Sequence, residues 1–165
     1  MADAWRLTGN LLPGEAPINT YFSFEGFEET EEDYLIFSDD LGNTWQETNT
    51  AFNGSSSIMV NNFSGNPVGS EDEFILPAVN ATLMNNPKIY FKLSYRQRSG
   101  TSDNLRVFVS RDCGENWSMR YNKSGSTLST VSGTQNTPFT PSSASDWADV
   151  EISLISNSAH TRIMY

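Results

Sequence analysis

The chain has 165 residues and a formal net charge of −10, because 20 acidic side chains outnumber 10 basic ones. A nucleic acid partner is not expected, since neutralising duplex phosphates requires clustered Lys and Arg. Membrane insertion is not expected either, since no stretch approaches the roughly 18 consecutive apolar residues that a spanning helix needs. The hydrophobic content of 37% is typical of a globular domain with its own core.

Residues 1–20 are predicted to be a lead-in segment or linker, because Gly, Pro and Asn interrupt them and no hydrophobic period is sustained. They also lack the charged-then-apolar pattern of a secretion signal. From residue 21 to residue 165, short runs of aromatic and β-branched residues alternate with clusters of Gly, Asn, Ser and Pro. This alternation is typical of an all-β antiparallel sandwich, so residues 21–165 are predicted to form one such domain.

The clearest strand patterns begin at Lys88, Asn104 and Trp147. In each segment apolar side chains recur at every second position, which places them on one face of a strand. The pattern therefore predicts half-buried antiparallel strands that share a core. The side chains predicted to face this core are Ile89, Phe91, Leu93, Tyr95, Leu105, Val107, Val109, Ala148, Val150, Ile152 and Leu154.

Four side chains on the opposite faces of these strands are candidate ligand-binding residues. Tyr90 and Phe108 are aromatic, and Arg96 and Arg106 are cationic. Because aromatic rings can stack on the C–H faces of sugars while arginine donates to hydroxyl groups, a glycan-binding face is one interpretation. The alternative is that Tyr90 and Phe108 cover a second layer or a loop.

The segment from Asn122 to Asp146 consists almost wholly of Ser, Thr, Asn, Gly and Pro. It is too long for an ordinary connection between strands. We expect either a mobile loop or a functional one there.

Two octets, at 38–45 and 110–117, share the pattern Ser-x-Asp-x-Gly-x-(Thr or Asn)-Trp. In such an octet the Asp can accept hydrogen bonds from the turn, the Gly permits a positive φ, and the Trp covers the hairpin. The pattern resembles the Asp-box of sialidases and related β-propellers, and the resemblance implies hairpins away from a catalytic centre. A ligand role for Asp40 or Asp112 is the alternative. The residues predicted to be structural are Asp40, Gly42, Trp45, Asp112, Gly114 and Trp117.

No catalytic residues are expected in this chain. The only histidine, His160, excludes a His-Glu-x-x-His zinc site. The only cysteine, Cys113, has no partner for an internal disulfide, and we predict a small buried residue rather than a nucleophile. The chain also lacks a Gly-x-Ser-x-Gly motif. A carboxylate pair for glycoside hydrolysis stays open, because its separation is a spatial property.

The order of several stretches resembles the jelly-roll domains of secreted Bacteroidetes proteins: YFSFEGFEE, FSDDLGNTWQ, NPKIYFKLSYRQ, and VFVSRDCGENW followed by YNKSGSTLST. The resemblance is strongest to the non-catalytic domain that follows the protease domain of pappalysin-like (cytophagalysin-type) zinc metalloproteases. MAM and cleaved-adhesin domains are similar more distantly. The resemblance covers residues 20–165 and implies a β-sandwich of jelly-roll type in a secreted or cell-surface protein.

The same resemblance implies a structural calcium ion (Ca2+), held partly by a Glu just after the first strand, which matches Glu25. Since calcium takes about 6–8 oxygen ligands, Asp72 and Glu73 are the next candidates. The alternative is that these carboxylates are solvated turn residues. Members of the family continue past the position of residues 161–165, so we expect an open sheet edge there that allows self-association.

The resemblance and the missing catalytic residues together predict a non-catalytic binding or adhesion domain, appended to a metalloprotease and docking on extracellular protein or polysaccharide. A glycoside hydrolase or sialidase-like fragment is the second interpretation, indicated by the two octets. The seven arginines are scattered along the chain, which weighs against the arginine cluster of a sialidase. A purely structural spacer domain is the third interpretation.

Overall fold

A computed structural model of the chain describes residues 2–11, 22–23, 34–39, 42–64, 66–82, 84–154 and 158–165, with the backbone alone for 2–11 and 22–23. Within these ranges the strands are β1 (Ala2–Leu11), β2 (Phe22–Ser23), β3 (Leu35–Ser38), β4 (Gln46–Thr48), β5 (Ser57–Met59), β6 (Asp72–Ile75), β7 (Met84–Leu93), β8 (Asn104–Ser110), β9 (Trp117–Ser124), β10 (Ala148–Ser153) and β11 (Arg162–Met164). A short helix, α1 (Gly125–Leu128), follows β9, and a 3-10 turn (Ala144–Asp146) precedes β10. Within the described ranges, no helix is long and apolar enough to span a membrane.

The strands form two antiparallel sheets. In the first sheet the order is β10-β7-β1-β5-β4, with β2 paired to β1, and in the second it is β3-β6-β11-β8-β9. Buried side chains from both sheets belong to one hydrophobic core. The predicted all-β antiparallel sandwich is therefore confirmed, while its jelly-roll connectivity stays a prediction.

The first strand lies inside the segment that was expected to be a lead-in or linker. β1 sits between β7 and β5, and its pairing with β7 runs from Ala2 opposite Leu93 to Leu11 opposite Met84. Two register shifts interrupt this pairing. A register shift is an irregularity of the backbone pairing that no sequence period reveals. The domain boundary at residue 21 stays a prediction.

The predicted alternation along β7, β8 and β10 is confirmed by the burial of their inward side chains. On β10 the intervening residues Asp149, Glu151 and Ser153 are exposed. Lys88 Nζ lies 2.5 Å from Glu151 Oε1, and Lys92 Nζ lies 2.7 Å from Asp149 Oδ1, so ion pairs cover the outer face of this sheet. The buried side chains are Ile89, Phe91, Leu93, Val107, Val109, Val150, Ile152 and Leu154.

Phe91 joins the two sheets through aromatic contacts. Its ring centroid lies 5.3 Å from that of Tyr165 and 6.4 Å from that of Tyr121, both in edge-to-face geometry. Phe91 belongs to β7 of the first sheet, Tyr121 to β9 of the second, and Tyr165 directly follows β11. The centre of the sandwich is thus an aromatic cluster that depends on both layers.

Strand β11 lies in the interior of the second sheet. It is flanked by β6 and β8, with Ile163 opposite Val109 on one side and the carbonyl of Ile163 accepting a hydrogen bond from Leu76 N at 2.9 Å on the other. The prediction of an open edge beside residues 161–165 is wrong, because β11 has a neighbour on each side. Among the described strands, the outer ones are β10, β4 and β2 in the first sheet and β3 and β9 in the second.

The second octet closes the hairpin between β8 and β9. Asp112 accepts hydrogen bonds from the side-chain Nδ2 of Asn116 at 2.8 Å and from its backbone N at 2.9 Å, and Ser110 Oγ donates to Asp112 Oδ1 at 2.8 Å. These bonds, above all the one from the Asn116 side chain, lower the pKa of Asp112 to about 2 because they favour the ionised carboxylate. Gly114 has a φ of 102°, and a Cβ there would lie 3.4 Å from the Trp117 ring. Asp112 thus makes these hydrogen bonds with residues of the same turn.

The first octet connects the two sheets instead of closing a hairpin. The preceding strand, β3, belongs to the second sheet, and the following strand, β4, belongs to the first. Trp45 is buried and donates from Nε1 to the carbonyl oxygen of Asp72 at 3.0 Å. Gly42 is half-buried in this connection, and Asp40 lies outside the described residues. The same sequence pattern therefore serves two different kinds of connection.

Candidate functional site

A cleft of about 200 Å³ opens at the end of the sandwich where β7 stops. Its walls come from residues 60–63 after β5, residues 94–98 after β7, and residues 135–140. Aromatic rings and hydrogen-bonding groups are both present, which is the usual composition of a ligand site. The lining side chains that carry a charge or an aromatic ring are Phe63, Tyr95, Arg96, Arg98, Asp103 and Phe139.

The long polar segment that follows α1 is fastened to the end of β7 through Thr130. The backbone N of Thr130 donates to Tyr95 O at 2.9 Å, and Tyr95 N donates to Thr130 Oγ1 at 3.0 Å. Thr130 Oγ1 in turn donates to the carbonyl of Asp146 at 2.7 Å. The Thr130 hydroxyl therefore connects the beginning of this segment to Tyr95, just after β7, and to Asp146 at the end of the segment.

A second set of bonds holds the same segment further along. Gln97 N donates to Ser129 Oγ at 3.1 Å, Gln135 N donates to Gln97 O at 3.1 Å, and Ser99 N donates to Gln135 O at 3.2 Å. These main-chain contacts place residues 135–140 against residues 95–99. The polar segment is thus one wall of the cleft, and its position is set by the fold rather than by a ligand.

Arg98 is held across the mouth of the cleft by Phe63. Its Nη1 donates to the carbonyl oxygen of Phe63 at 2.5 Å, and its guanidinium carbon lies 5.2 Å from the centroid of the Phe63 ring. A cation over an aromatic face is attracted by the ring quadrupole. Both contacts are with neutral groups, so they leave the positive charge of Arg98 uncompensated.

Arg96 is half-buried in the cleft, and its Nε has no hydrogen-bond partner among the described residues although the atom is buried. Arg120 and Arg162 also have a buried Nε without a partner in the described ranges, but neither lines the cleft. A buried donor without an acceptor is unfavourable, because it has lost its bonds to water without replacing them. Arg96 is therefore the cleft residue most in need of an acceptor.

The acidic residue of the cleft, Asp103, is already engaged. Its Oδ2 accepts a hydrogen bond from the Tyr95 hydroxyl at 3.0 Å. Burial raises the pKa of Tyr95, and the nearby carboxylate of Asp103 raises it further, so Tyr95 stays protonated and keeps donating at neutral pH. Tyr95 thus orients Asp103, and the positively charged groups that line the cleft are Arg96 and Arg98.

Of the four residues predicted to bind a ligand, Arg96 alone lines the cleft. Tyr90 lies on the outer face of the first sheet, between the buried residues of β7. Arg106 and Phe108 lie together on the outer face of the second sheet, where the guanidinium is 5.9 Å from the ring centroid and Arg106 Nη2 is 2.5 Å from Glu71 Oε1. These outer faces are on opposite sides of the sandwich, so the four residues do not form a single binding face.

Sequence reasoning missed the aromatic residues of the cleft. Tyr95 continues the alternation of β7 and was therefore predicted to be a core residue, but β7 ends at Leu93, and Tyr95 packs only partly against the core. Phe63 and Phe139 lie in polar segments without a hydrophobic period. A signal for these residues was present in the sequence, because each is an isolated aromatic residue among Asn, Thr and Pro. A large apolar ring is uncommon in a loop whose only role is to connect two strands.

The candidate calcium ligands are separated by the geometry of β6. Adjacent side chains on a strand point to opposite faces, so Asp72 and Glu73 cannot both bind one ion through their carboxylates. Asp72 Oδ1 is buried and has no hydrogen-bond partner in the described part of the chain, which fits a metal ligand. Glu25 lies outside the described residues. Among those that are described, no three His, Cys, Asp or Glu side chains come together as a metal-binding group.

Cys113 and His160 lie near each other through a main-chain contact. Cys113 is exposed, so the prediction of a buried residue is wrong. The reason is local, because Cys113 occupies the tip of the β8–β9 hairpin with a φ of 62°. Its backbone N donates to the carbonyl of His160 at 3.2 Å, and the His160 side chain is exposed.

Comparisons of the chain with protein-family models, with curated proteins and with solved structures gave no match.

Proposed function

We propose that this domain is a non-catalytic binding module that docks on an extracellular polysaccharide, and that the cleft at the end of β7 is its binding site. The observation that supports this most is the half-buried Arg96, whose Nε lacks an acceptor in the described part of the chain. Around it, the rings of Phe63 and Phe139 line the same cleft. Such rings can stack on the apolar faces of sugar units, while arginine and amide groups meet the hydroxyls.

The family resemblance extends this proposal. It adds a secreted or cell-surface location, attachment to a metalloprotease, and docking on extracellular protein as the other kind of partner. The cleft favours the polysaccharide, because a concave surface with rings and donors suits a sugar unit better than it suits a flat protein surface.

The proposal is tested with immobilised polysaccharides and extracellular matrix proteins, probed with the full chain. We expect binding to at least one polysaccharide, and we expect Phe139→Ala to weaken it roughly tenfold, as the loss of one stacked ring implies. Phe108→Ala is the matched control, because Phe108 is another half-buried phenylalanine but lies on the outer face of the second sheet.

Three results would contradict the proposal. Binding to proteins alone would move the function to a protein surface. Release of sugar from any polymer would favour the glycoside hydrolase or sialidase-like interpretation. Absence of both binding and turnover would leave a structural spacer.

Calcium as a stabilising ion is part of the proposal, with Asp72 and Glu25 as its ligands. If the ion is present at 100 times its dissociation constant, it adds about 2.7 kcal/mol, so a chelator should lower the melting temperature by about 5–11 °C. Asp72→Asn should abolish this shift. Glu73→Gln should preserve it, because the Glu73 side chain points to the other face of β6. An unchanged melting temperature after chelation would remove calcium from the proposal.

A further inference from the structure

We infer that the cleft selects anionic sugars, bearing a carboxylate or a sulfate, over neutral ones, and that Arg96 binds the anionic group; this inference rests on the proposed polysaccharide binding. Three features support it: the charges of the side chains that line the cleft, the missing ion-pair partner of Arg96 among the described residues, and the aromatic rings in the same cleft.

The charges of the cleft differ from those of the whole chain. The chain has 20 acidic and 10 basic residues, whereas the cleft is lined by Arg96, Arg98 and a single acid, Asp103. Several basic residues elsewhere have acidic partners, as in the pairs Lys88–Glu151, Lys92–Asp149 and Arg106–Glu71. No such ion pair joins Arg96 or Arg98 to a carboxylate within the described residues. The cleft is therefore a local positive site on an acidic protein.

The chemistry of Arg96 fits an anion better than a hydroxyl group. A guanidinium presents its Nε and Nη donors as a planar fork that matches the two oxygens of a carboxylate or two oxygens of a sulfate. Arg96 lines the cleft, is half-buried and has no carboxylate partner among the described residues, so an anion in the cleft would pair with its guanidinium and neutralise the charge. A neutral sugar can offer an acceptor to one donor but leaves the charge uncompensated.

The acid that lines the same cleft does not pair with Arg96. Asp103 accepts a hydrogen bond from the Tyr95 hydroxyl through Oδ2 at 3.0 Å, and the ion pairs of the described residues do not include one between Asp103 and Arg96. Arg98 donates to the Phe63 carbonyl and lies over the Phe63 ring, which places a second positive charge at the rim. A sugar stacked near Phe63 would thus have an anionic substituent within reach of cationic groups.

The net charge of −10 repels a polyanion at long range, but this effect is limited at physiological salt. At an ionic strength of 0.15 M the screening length is about 8 Å. Charges outside the cleft are therefore largely screened, and the arginines in contact with the ligand decide the selectivity.

The test measures the affinity of the full chain, by calorimetry at 0.15 M salt, for pairs of polymers that differ only in the anion. Polygalacturonate, alginate and hyaluronate are each compared with their carboxyl-reduced forms, and dextran sulfate is compared with dextran. We expect at least one anionic member to bind at least tenfold more tightly than its neutral counterpart. The pair that shows the difference identifies the anion as carboxylate or sulfate.

Two substitutions then test whether Arg96 causes the difference in affinity between the anionic and the neutral polymer. Arg96→Gln should reduce the preference for the anionic over the neutral member to less than twofold. Arg106→Gln, at an arginine on the outer face of the second sheet, should retain the full preference. The comparison of polymers with the unmodified chain does not depend on whether a variant folds.

Three outcomes contradict the inference, and they can be told apart. Equal affinity for the anionic and neutral members would refute the selection of anions and leave the proposed polysaccharide binding intact. No binding to any of the polymers, together with none on the wider panel, would refute both. A preference that survives Arg96→Gln in a folded variant would reject Arg96 as the anion-binding residue.

Discussion

Replacing Phe91 by Ala is expected to lower the free energy of unfolding by about 3–5 kcal/mol. Phe91 is 3% exposed, and its ring meets those of Tyr121 and Tyr165 from the opposite sheet. Truncation therefore removes apolar burial and leaves a cavity between two layers that cannot move together without breaking strand pairing. Urea unfolding of the variant, with the midpoint and the slope both determined, measures the loss.

Val68→Ala serves as the control for this experiment, because Val68 is fully exposed. Its effect is expected to stay within about 0.5 kcal/mol, as for other surface substitutions. If Phe91→Ala cost less than about 1 kcal/mol, the two sheets could not be packed on each other at this position.

Replacing Thr130 by Val is expected to lower the free energy of unfolding by about 1–3 kcal/mol, although the two side chains have nearly the same shape. The hydroxyl accepts a hydrogen bond from Tyr95 N and donates to Asp146 O, so its removal leaves the Tyr95 amide without that acceptor. Amide hydrogen exchange locates the effect, because the protection of Tyr95 N should fall while that of the central strands follows only global stability.

Thr134→Val is the matched control, since Thr134 lies in the same polar segment with its side chain exposed. It should leave both the unfolding midpoint and the exchange of Tyr95 N unchanged. Unaltered protection of Tyr95 N in Thr130→Val would show that Thr130 does not fasten the wall of the cleft.

The strands that could be predicted were those whose burial alternates without interruption. Ile89, Val107 and Val150 lie in segments where every second residue is apolar, and the sandwich buries them as expected. The same rule failed where the geometry is irregular. In β1 the register shifts interrupt the pairing with β7, and at Tyr95 the alternation continues past the end of the strand.

The candidate site could be predicted only in part, because it is assembled from segments far apart in the sequence. Arg96 was identified as a polar residue on the outward face of the strand predicted from Lys88, whereas Phe63 and Phe139 reach the same cleft from loops that carry no periodic signal. Alternation also tells which face of a strand a side chain occupies, but not to which sheet the strand belongs. Tyr90 and Phe108 consequently appeared to be neighbours in sequence reasoning, while the fold places them on opposite sides of the molecule.

The position of β1 has a consequence for how the polypeptide reaches its native state. Ala2 lies opposite Leu93, so β1 is synthesised long before the strand with which it makes its longest pairing. Contacts of such high sequence separation require a long loop to close before any bond forms, and they slow folding. Until β7 emerges, β1 can pair only with the shorter strands β2 and β5, and during this interval its exposed edge favours association between nascent copies.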